Sequence, residues 1–231
     1  MTTAIAPADV AQRLRAAARV NDPVVGPGSP AEMERDSPLW PDPARFAQIR
    51  RIAVTESGSR RVEEYFFQPA GLDHGLPIHP SSTEGLPVAI VYETADDGSV
   101  EARVYSAHQL VADRGPILPV DPTLIPERGP DDILGRYFVT LHSGALGPTL
   151  DLWEADGYMR HSNGETHLGR EKLRAAFTRF YATGGIMLRY CNKTDAGAIT
   201  ALEAYMPSGR PAVAVYERGP TGLMQAARLY L

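Results

Sequence analysis

The 231-residue chain contains a single cysteine, Cys191, so no disulfide can form within it. Lysine is almost as scarce, because Lys172 and Lys193 are the only two and the other basic residues are arginines. No apolar run is long enough to span a bilayer, and Met1–Ala6 lacks the basic segment that opens a signal peptide. The formal net charge of −5 argues against general nucleic-acid binding. We therefore expect a cytoplasmic protein that binds neither nucleic acids nor membranes.

Motifs for cofactors and metals are missing as well. The sequence has no GxSxG nucleophile turn, no phosphate-binding glycine loop and no GxGxxG dinucleotide fingerprint. The spacing of His142, His161 and His167 matches no zinc motif, and no cysteine pair accompanies these histidines. We therefore expect neither a cofactor nor a metal ion.

What the sequence does contain is an internal repeat. Gly85–Gly98 and Gly209–Gly222 share Gly-x-Pro, Val-Tyr-Glu and a final Gly, at a constant offset of 124 residues. Ala102–Tyr105 matches Ala227–Tyr230 after a slip of one residue, and the preceding strand segment Val62–Tyr65 is similar to Leu202–Tyr205. A period kept over this many positions indicates duplication of one structural unit, the alternative being chance similarity of short strands.

The second copy has the fuller set of predicted elements. Apolar periodicity and capping residues predict helices over Ile133–Leu141, from Pro148 to Trp153 and from Gly169 to Phe180. A short hairpin turns at Asn163-Gly164, and four strands follow between Ile186 and Leu231. Helices followed by antiparallel strands are typical of an α+β fold.

The first copy is predicted to be reduced. It has a helix over Ala8–Val20, an irregular Pro- and Gly-rich loop over Asn21–Pro43, and strands from Phe46 onward. Five prolines between Val111 and Pro130 predict an extended linker. We therefore divide the chain into a reduced unit at 1–110, a linker at 111–130 and a fuller unit at 131–231 that carries the pocket. The two curved sheets are expected to pack together as an internal pseudo-dimer, with a homodimer as the alternative.

Four segments carry a resemblance to a known superfamily: Gly135–Phe138, Leu152–Gly157, Arg160-His161 and Gly169–Glu171. With this order of elements, the chain resembles the nuclear transport factor 2-like (NTF2-like) superfamily. That superfamily includes ketosteroid isomerase, limonene epoxide hydrolase, scytalone dehydratase and SnoaL-like polyketide cyclases. Over its whole length the chain is similar to uncharacterised actinobacterial proteins with two such repeats. The resemblance implies two tandem cones, each made of helices against a curved antiparallel sheet.

The resemblance to ketosteroid isomerase assigns roles to a few residues. It implies that Tyr137 donates a hydrogen bond to an oxyanion and that His161 replaces the aspartate that acts as general base. The position of the second oxyanion donor is Ala214, so steroid isomerisation itself is not implied. The remaining residues assigned to substrate binding are Trp153, Met159, Phe177, Arg189, Glu203 and Tyr205.

The resemblance favours a cofactor-free isomerase, cyclase or dehydratase of secondary metabolism. Its substrate would be a small apolar or aromatic carbonyl compound, held against an apolar wall of Trp153, Met159 and Phe177. The first alternative is an epoxide hydrolase, in which Arg189 and Glu203 or Asp195 would position water. The second alternative is a module that binds a ligand or a partner without catalysis. The sequence does not show which face of the strand around Arg189 points inward.

Overall fold

The computed structural model describes residues 3–22, 25–71, 75–107 and 133–231. The N-terminal unit consists of β1 (Thr3–Ile5), α1 (Pro7–Ala16), β2 (Arg19–Asp22), β3 (Gly26–Gly28), α2 (Pro30–Asp36), β4 (Phe46–Ser57), β5 (Arg60–Pro69), β6 (Leu86–Thr94) and β7 (Val100–Ser106). The C-terminal unit consists of α3 (Ile133–Ser143), α4 (Leu146–Leu150), β8 (Trp153–Arg160), β9 (Thr166–Leu168), α5 (Arg170–Phe180), β10 (Arg189–Asp195), β11 (Ile199–Tyr205), β12 (Pro211–Arg218) and β13 (Met224–Tyr230). The predicted linker at 111–130 lies outside the described residues.

The two units have the same sheet topology. The strand order is β1-β4-β5-β6-β7-β2-β3 in the first sheet and β10-β11-β12-β13-β8-β9 in the second. Apart from the added edge strand β1, the two orders correspond strand for strand. The parallel pairs also correspond, because β2 runs parallel to β7 and β8 runs parallel to β13. The predicted α+β fold of two tandem units is therefore confirmed.

The N-terminal unit is reduced in its helices. Among its described residues, the N-terminal unit has no counterpart of α4. Helix α2 occupies the same place in the element order as α5 but has 7 residues instead of 11. The prediction of an irregular loop over Asn21–Pro43 is wrong, because this segment contains the end of β2, strand β3 and helix α2. Helix α2 begins with a capping box between Ser29 and Glu32, with Pro30 in its first turn.

Strand pairing corrects the alignment of one repeat segment. Glu64 lies opposite Ala89 in the first sheet, and Glu203 lies opposite Val213 in the second. Ala89 and Val213 are separated by the repeat offset of 124 residues. Glu64, rather than Glu63, is thus the counterpart of Glu203, and the match of Val62–Tyr65 with Leu202–Tyr205 is out of register by one residue.

Each unit has its own hydrophobic core, and a third cluster joins the two sheets. Helix α1 packs Val10 and Leu14 on the first sheet, and α3 and α5 cover the second. The cluster between the sheets contains small and β-branched residues with two tyrosines: Val62, Ala89, Val91, Tyr105, Cys191, Ala201, Val213, Val215 and Tyr230. One face of each sheet therefore packs against the other sheet.

Two reciprocal ion pairs cross this sheet-to-sheet contact. Arg103 donates to both carboxylate oxygens of Glu203 at 2.7 and 2.8 Å, and the Tyr105 hydroxyl donates to the same carboxylate at 2.5 Å. In the repeat-related position, Arg228 donates to Glu64 at 2.7 and 3.0 Å, and the Tyr230 hydroxyl donates to Glu64 at 2.7 Å. All these groups are buried. Such charges remain ionised inside a protein only when they are paired and hydrogen-bonded.

Each arginine is also held by a glutamate of its own sheet. Arg103 reaches Glu93 at 2.8 Å, and Arg228 reaches Glu217 at 2.7 Å. The two glutamates are repeat-related, so this set of ion pairs occurs twice with the roles of the units exchanged. Glu203 also accepts a hydrogen bond from Asn192 at 2.9 Å, whereas Ala53 lies opposite Glu64. This exchange of roles is the contact pattern of a twofold interface.

Candidate functional site

The C-terminal unit encloses a cavity of about 70 Å³ between its helices and the inward face of its sheet. Its wall is almost entirely aliphatic and aromatic, with Met206, Leu229 and Leu231 among the lining residues. The hydroxyl groups in the wall belong to Tyr137, Tyr190 and Tyr216. A few polar groups in an apolar concave site are typical of small-molecule binding sites.

Tyr137 projects from α3 because helical periodicity places it on the buried face with Leu134 and Leu141. Its ring packs edge-on against Trp153 at 6.0 Å and Tyr216 at 5.7 Å between centroids. Among the described residues, no group forms a hydrogen bond with its hydroxyl. Burial raises the pKa of Tyr137 well above its usual value, so the hydroxyl is neutral and available as a donor.

Tyr216 presents a second hydroxyl of the same kind from β12. It is 3 % exposed, and no described residue is hydrogen-bonded to its side chain. Burial raises the pKa of this phenol too. The cavity therefore has two neutral donors on adjacent rings, one from a helix and one from the sheet. The sequence points to Tyr137 but not to Tyr216, because the repeat of Tyr216-Glu217 at Tyr92-Glu93 favours a structural role.

The third hydroxyl, on Tyr190, is connected to a histidine. Tyr190 Oη lies 3.2 Å from His142 Nε2, and the two rings are 6.0 Å apart. Burial raises the pKa of Tyr190, so the phenol keeps its proton at neutral pH. Leu188 and Tyr190 both line the cavity, which answers the question of which face of this segment points inward. The sequence suggests metal binding as a possible role of His142 and does not predict this contact with Tyr190.

His161 does not line the cavity. Its ring packs against His167 at 5.1 Å and against Phe180 at 5.4 Å, and Phe180 is the member of this group that lines the cavity. Burial, together with the charge of His167, lowers the pKa of His161 to about 4. The structure therefore places this imidazole, which the resemblance implies to be the general base, outside the cavity wall. The imidazole is neutral at physiological pH and lies beside the site.

The three residues predicted to form the apolar wall divide into two groups. Met159 and Phe177 line the cavity. Trp153 lies in the core, 4 % exposed, and contacts Tyr137 and Phe177 without lining the cavity. Its position supports the ring of Tyr137 and does not form a surface for a ligand.

Arg189, Glu203 and Tyr205 do not line the cavity. Leu202 and Ala204 line the cavity, and alternation along β11 turns Glu203 and Tyr205 to the opposite face. Glu203 belongs to the ion pair between the sheets, and the exposed Arg189 lies over the Tyr205 ring at 5.1 Å. Their assignment to substrate binding in this cavity is corrected accordingly.

The described part of the chain contains no group of three or more His, Cys, Asp or Glu side chains that could hold a metal ion. His161 and His167 are close to each other, but Glu165 approaches His167 Nε2 only at 3.6 Å, and His142 is bonded elsewhere. Within the same ranges, no helix has the length and apolarity needed to cross a membrane.

No protein-family profile and no curated protein matches this chain. Similar solved structures include an NTF2-like protein of unknown function from Burkholderia xenovorans, with 21% identity, coverage of 42% of this chain and 78% of that one, and a TM-score of 0.37. A proposed polyketide cyclase from Sinorhizobium meliloti is 13% identical and covers 42% of this chain and 93% of its own, with a TM-score of 0.39. A ketosteroid isomerase-like protein from Catenulispora acidiphila, bound to trimethylamine, is 17% identical and covers 43% of this chain and 85% of its own, with a TM-score of 0.35.

The descriptions of these structures agree with the resemblance found in the sequence, and each match covers less than half of this chain. The identities and TM-scores are too low for any argument about activity. The two-unit chain is thus similar to structures described as NTF2-like and ketosteroid isomerase-like, as its residues predicted, and no substrate or reaction follows from that similarity.

Proposed function

We propose that the C-terminal cavity binds a small apolar molecule with a carbonyl or enol oxygen and transfers a proton on it without a cofactor. The reaction would be that of an isomerase, cyclase or dehydratase. The observation that carries the proposal is the pair of hydroxyls on Tyr137 and Tyr216. Both side chains are buried in an apolar wall, and neither hydroxyl is hydrogen-bonded to a described residue, so both can donate to a ligand oxygen.

The two tyrosines suit an oxygen that gains negative charge during the reaction. A neutral phenol in a dry site is a fixed donor, and its interaction with a developing oxyanion is stronger than it would be in water. Loss of one such donor typically lowers kcat by about 10²–10³. We assign Tyr137 as the main donor and Tyr216 as the second, at a different position in the fold from Ala214.

The proton is moved by the Tyr190–His142 pair. Tyr190 faces the cavity, and His142 Nε2 is the nitrogen within reach of its hydroxyl. Tyr190 can pass a proton from the substrate to the imidazole, and the reverse transfer completes an isomerisation. His161, the base implied by the resemblance, contacts Phe180 instead of the cavity, so we assign it no proton transfer.

The size of the cavity restricts the substrate. An apolar cavity that holds a benzene ring has about 150 Å³, whereas this one has about 70 Å³. A one-ring substrate therefore binds only if part of the wall moves. Met206 is the best candidate, since it is only half-buried and methionine adapts its shape easily.

The test is a thermal-shift titration with phenol and 4-nitrophenol, which mimic an enol and an enolate. We expect both to stabilise the wild type, and Tyr137→Phe and Tyr216→Phe each to weaken binding by roughly tenfold. Tyr158→Phe is the matched control, because Tyr158 is half-buried outside the cavity. If neither phenol stabilises the wild type, or if both cavity variants bind as the wild type does, the proposal is wrong.

The alternative is a module that binds the same ligand without catalysis. His142→Gln and Tyr190→Phe separate the two, because they remove the proton relay and leave both donors in place. Loss of turnover with retained phenol binding supports the enzyme, whereas an absence of turnover in a broad enol and ketone screen of the wild type supports the binding module. The epoxide-hydrolase alternative has less support, because Arg189, Glu203 and Asp195 do not meet at the cavity.

We further propose that the paired sheets make one chain a complete assembly, an internal pseudo-dimer acting in cytoplasmic secondary metabolism. The reciprocal ion pairs support this, since each unit completes the other. Light scattering should then give the mass of one chain, 25.1 kDa. A mass of twice that value would favour the homodimer.

A further inference from the structure

The N-terminal unit has a cleft of its own, separate from the cavity proposed for catalysis. It measures about 500 Å³ and lies between α1 and the hairpin that joins β4 to β5. Three arginines line it, Arg13, Arg60 and Arg61, together with Glu63 and Tyr92. This cleft is therefore larger and far more polar than the C-terminal cavity.

Glu63 forms the floor of the cleft, and its carboxylate is already fully hydrogen-bonded. Arg13 Nη1 donates to its two oxygens at 2.9 and 2.7 Å, and Arg61 Nε donates at 2.7 Å. The hydroxyl of Tyr65 also donates to it. Burial acts to raise the pKa of Glu63, but these hydrogen bonds and the two arginines outweigh it and lower the pKa. Glu63 is thus a neutralised anion with no acceptor capacity to offer a ligand.

Several donors around Glu63 remain unused. Tyr92 Oη and Arg60 Nε are both buried without a hydrogen-bond partner in the described structure. Arg13 uses only Nη1 in its bonds to Glu63 and Tyr65, which leaves its Nε and Nη2 unbonded to any described residue. Arg60 is ion-paired with Glu93 at 2.7 Å and Arg61 also with Glu56 at 3.2 Å, so the unused donors of the cleft belong chiefly to Arg13 and Tyr92. A site with spare donors and no spare buried acceptor fits a ligand that is an oxygen anion.

The remaining lining is apolar, and this indicates an organic anion. Ala16, Ala17 and Val100 line the cleft beside the ring of Tyr92. A planar guanidinium suits the two oxygens of a carboxylate, and the apolar side suits a carbon skeleton next to it. We infer that this cleft binds a small organic carboxylate, with its charged end toward Arg13 and Tyr92 and its apolar body against α1.

The repeat relationship provides a matched control for this inference. Tyr92 and Tyr216 are equivalent residues of β6 and β12, and each lines the site of its own unit. Neither hydroxyl has a partner among the described residues, so replacing either tyrosine by phenylalanine removes no hydrogen bond of the fold. The same substitution in the two units therefore distinguishes the two sites.

The experiment is isothermal titration of the full chain with benzoate, and with benzamide as its neutral analogue. We expect benzoate to bind the wild type and benzamide to bind at least about tenfold more weakly, because only benzoate carries the charge. Tyr92→Phe should weaken benzoate binding by roughly tenfold or more, the usual range for a hydrogen bond to an ion. Tyr216→Phe should leave benzoate binding unchanged.

Three results would overturn the inference. The first is an absence of benzoate binding at millimolar concentration. The second is a loss of benzoate binding in Tyr216→Phe but not in Tyr92→Phe, which would place the carboxylate in the C-terminal cavity. The third is displacement of benzoate by inorganic phosphate at equal concentration, which would show that the cleft responds to charge and not to an organic carboxylate. The inference does not depend on the function proposed for the C-terminal cavity, which is tested with phenols.

Discussion

Replacing Arg228 by methionine tests how the two sheets are held together. Arg228 is 2 % exposed and donates to both oxygens of Glu64, a residue of the other unit that is fully buried. Methionine fills a similar volume without the charge, so Arg228→Met leaves the Glu64 carboxylate buried with the Tyr230 hydroxyl as its remaining direct donor. The variant therefore removes a charge partner and adds little steric strain.

The expected cost follows from the burial of this pair. Removing one partner of a buried ion pair typically destabilises a protein by about 3–5 kcal/mol, because the other charge stays desolvated and uncompensated. Total stabilities are only about 5–15 kcal/mol. Arg228→Met should therefore lower the urea midpoint by about a fifth of its value or more. The double variant Arg228→Met/Glu64→Gln should recover at least about half of the loss, since it no longer buries a lone charge.

The loss should also depend on pH. In the wild type the pKa of Glu64 is lowered, because the ion pair and hydrogen bonds with Arg228 outweigh the opposing effect of burial. This contribution is present above the unfolded pKa and is lost as the pH falls through the folded pKa. Without Arg228, burial dominates and raises the pKa of Glu64, so protonation relieves the variant. The difference in stability between wild type and variant should be largest near pH 7 and should shrink toward pH 4.

The assay is urea unfolding followed by fluorescence and circular dichroism at pH 7, 5.5 and 4. Arg103→Met is the internal control, because Arg103 and Glu203 form the same contact with the units exchanged. The two arginine variants should agree within about 1 kcal/mol if the interface is symmetric in energy as well as in geometry. A cost below about 1 kcal/mol for Arg228→Met, or a double variant no more stable than the single one, would refute this account of the interface.

Three further predictions concern single residues. Ser29→Ala should cost about 1 kcal/mol of stability, measured by urea unfolding, because it removes the capping box of α2. Gly85→Ala should destabilise the protein far more than Gly209→Ala, although both glycines have positive φ. An added Cβ at Gly85 would lie 2.5 Å from the backbone oxygen of Phe67, whereas an added Cβ at Gly209 would meet nothing within 4 Å. The C2 proton of His161 should titrate in NMR near pH 4. Because a lowered histidine pKa makes folding less favourable as the pH falls, His161→Gln should reduce the loss of stability between pH 6.5 and 4.

Much of the C-terminal unit was predictable because its signals are local. The apolar face of α3, the Asn163-Gly164 turn and the alternating strands are each encoded within a dozen neighbouring residues. Strand β10 was placed too early, at Ile186, because its amide donates instead to the carbonyl of Leu141 at the end of α3. Helix α2 was missed although its capping box is visible in the sequence, since the surrounding prolines and glycines dominated the prediction.

The functional residues were harder to predict because they depend on contacts between distant segments. The carboxylate of Glu203 was assigned to the pocket, but its partner Arg103 is 100 residues away along the chain. Periodicity shows that Glu203 and Tyr205 share a face and does not show which face points inward. The pairing of His142 with Tyr190 likewise joins a helix to a strand 48 residues later. A lone histidine in the last turn of a helix gives no sign of such a partner.

Since the duplication, the residues on the two faces of each sheet have changed to different extents, and their contacts explain the difference. Several residues that face the other sheet are the same in both copies: Glu64 and Glu203, Val91 and Val215, Glu93 and Glu217, Arg103 and Arg228, Tyr105 and Tyr230. Where this face differs, as at Ala89 and Val213, one apolar residue replaces another. A change on this face of one unit leaves a group of the other unit unpaired, so it cannot be made alone.

The inward faces are free of that restriction, because each contacts only its own unit. Glu63 lies opposite Ile90 in the first sheet, and Leu202 lies opposite Ala214 in the second, so a buried anion in one unit corresponds to an aliphatic residue in the other. The tyrosine that follows on the neighbouring strand, Tyr92 or Tyr216, is kept, while its surroundings differ. One shared interface can therefore support two unlike sites, an apolar cavity with two phenol donors and an arginine-lined cleft. Exchanging the pair, as Glu63→Leu or Leu202→Glu, should alter ligand binding in the changed unit and leave that of the other unit unaffected.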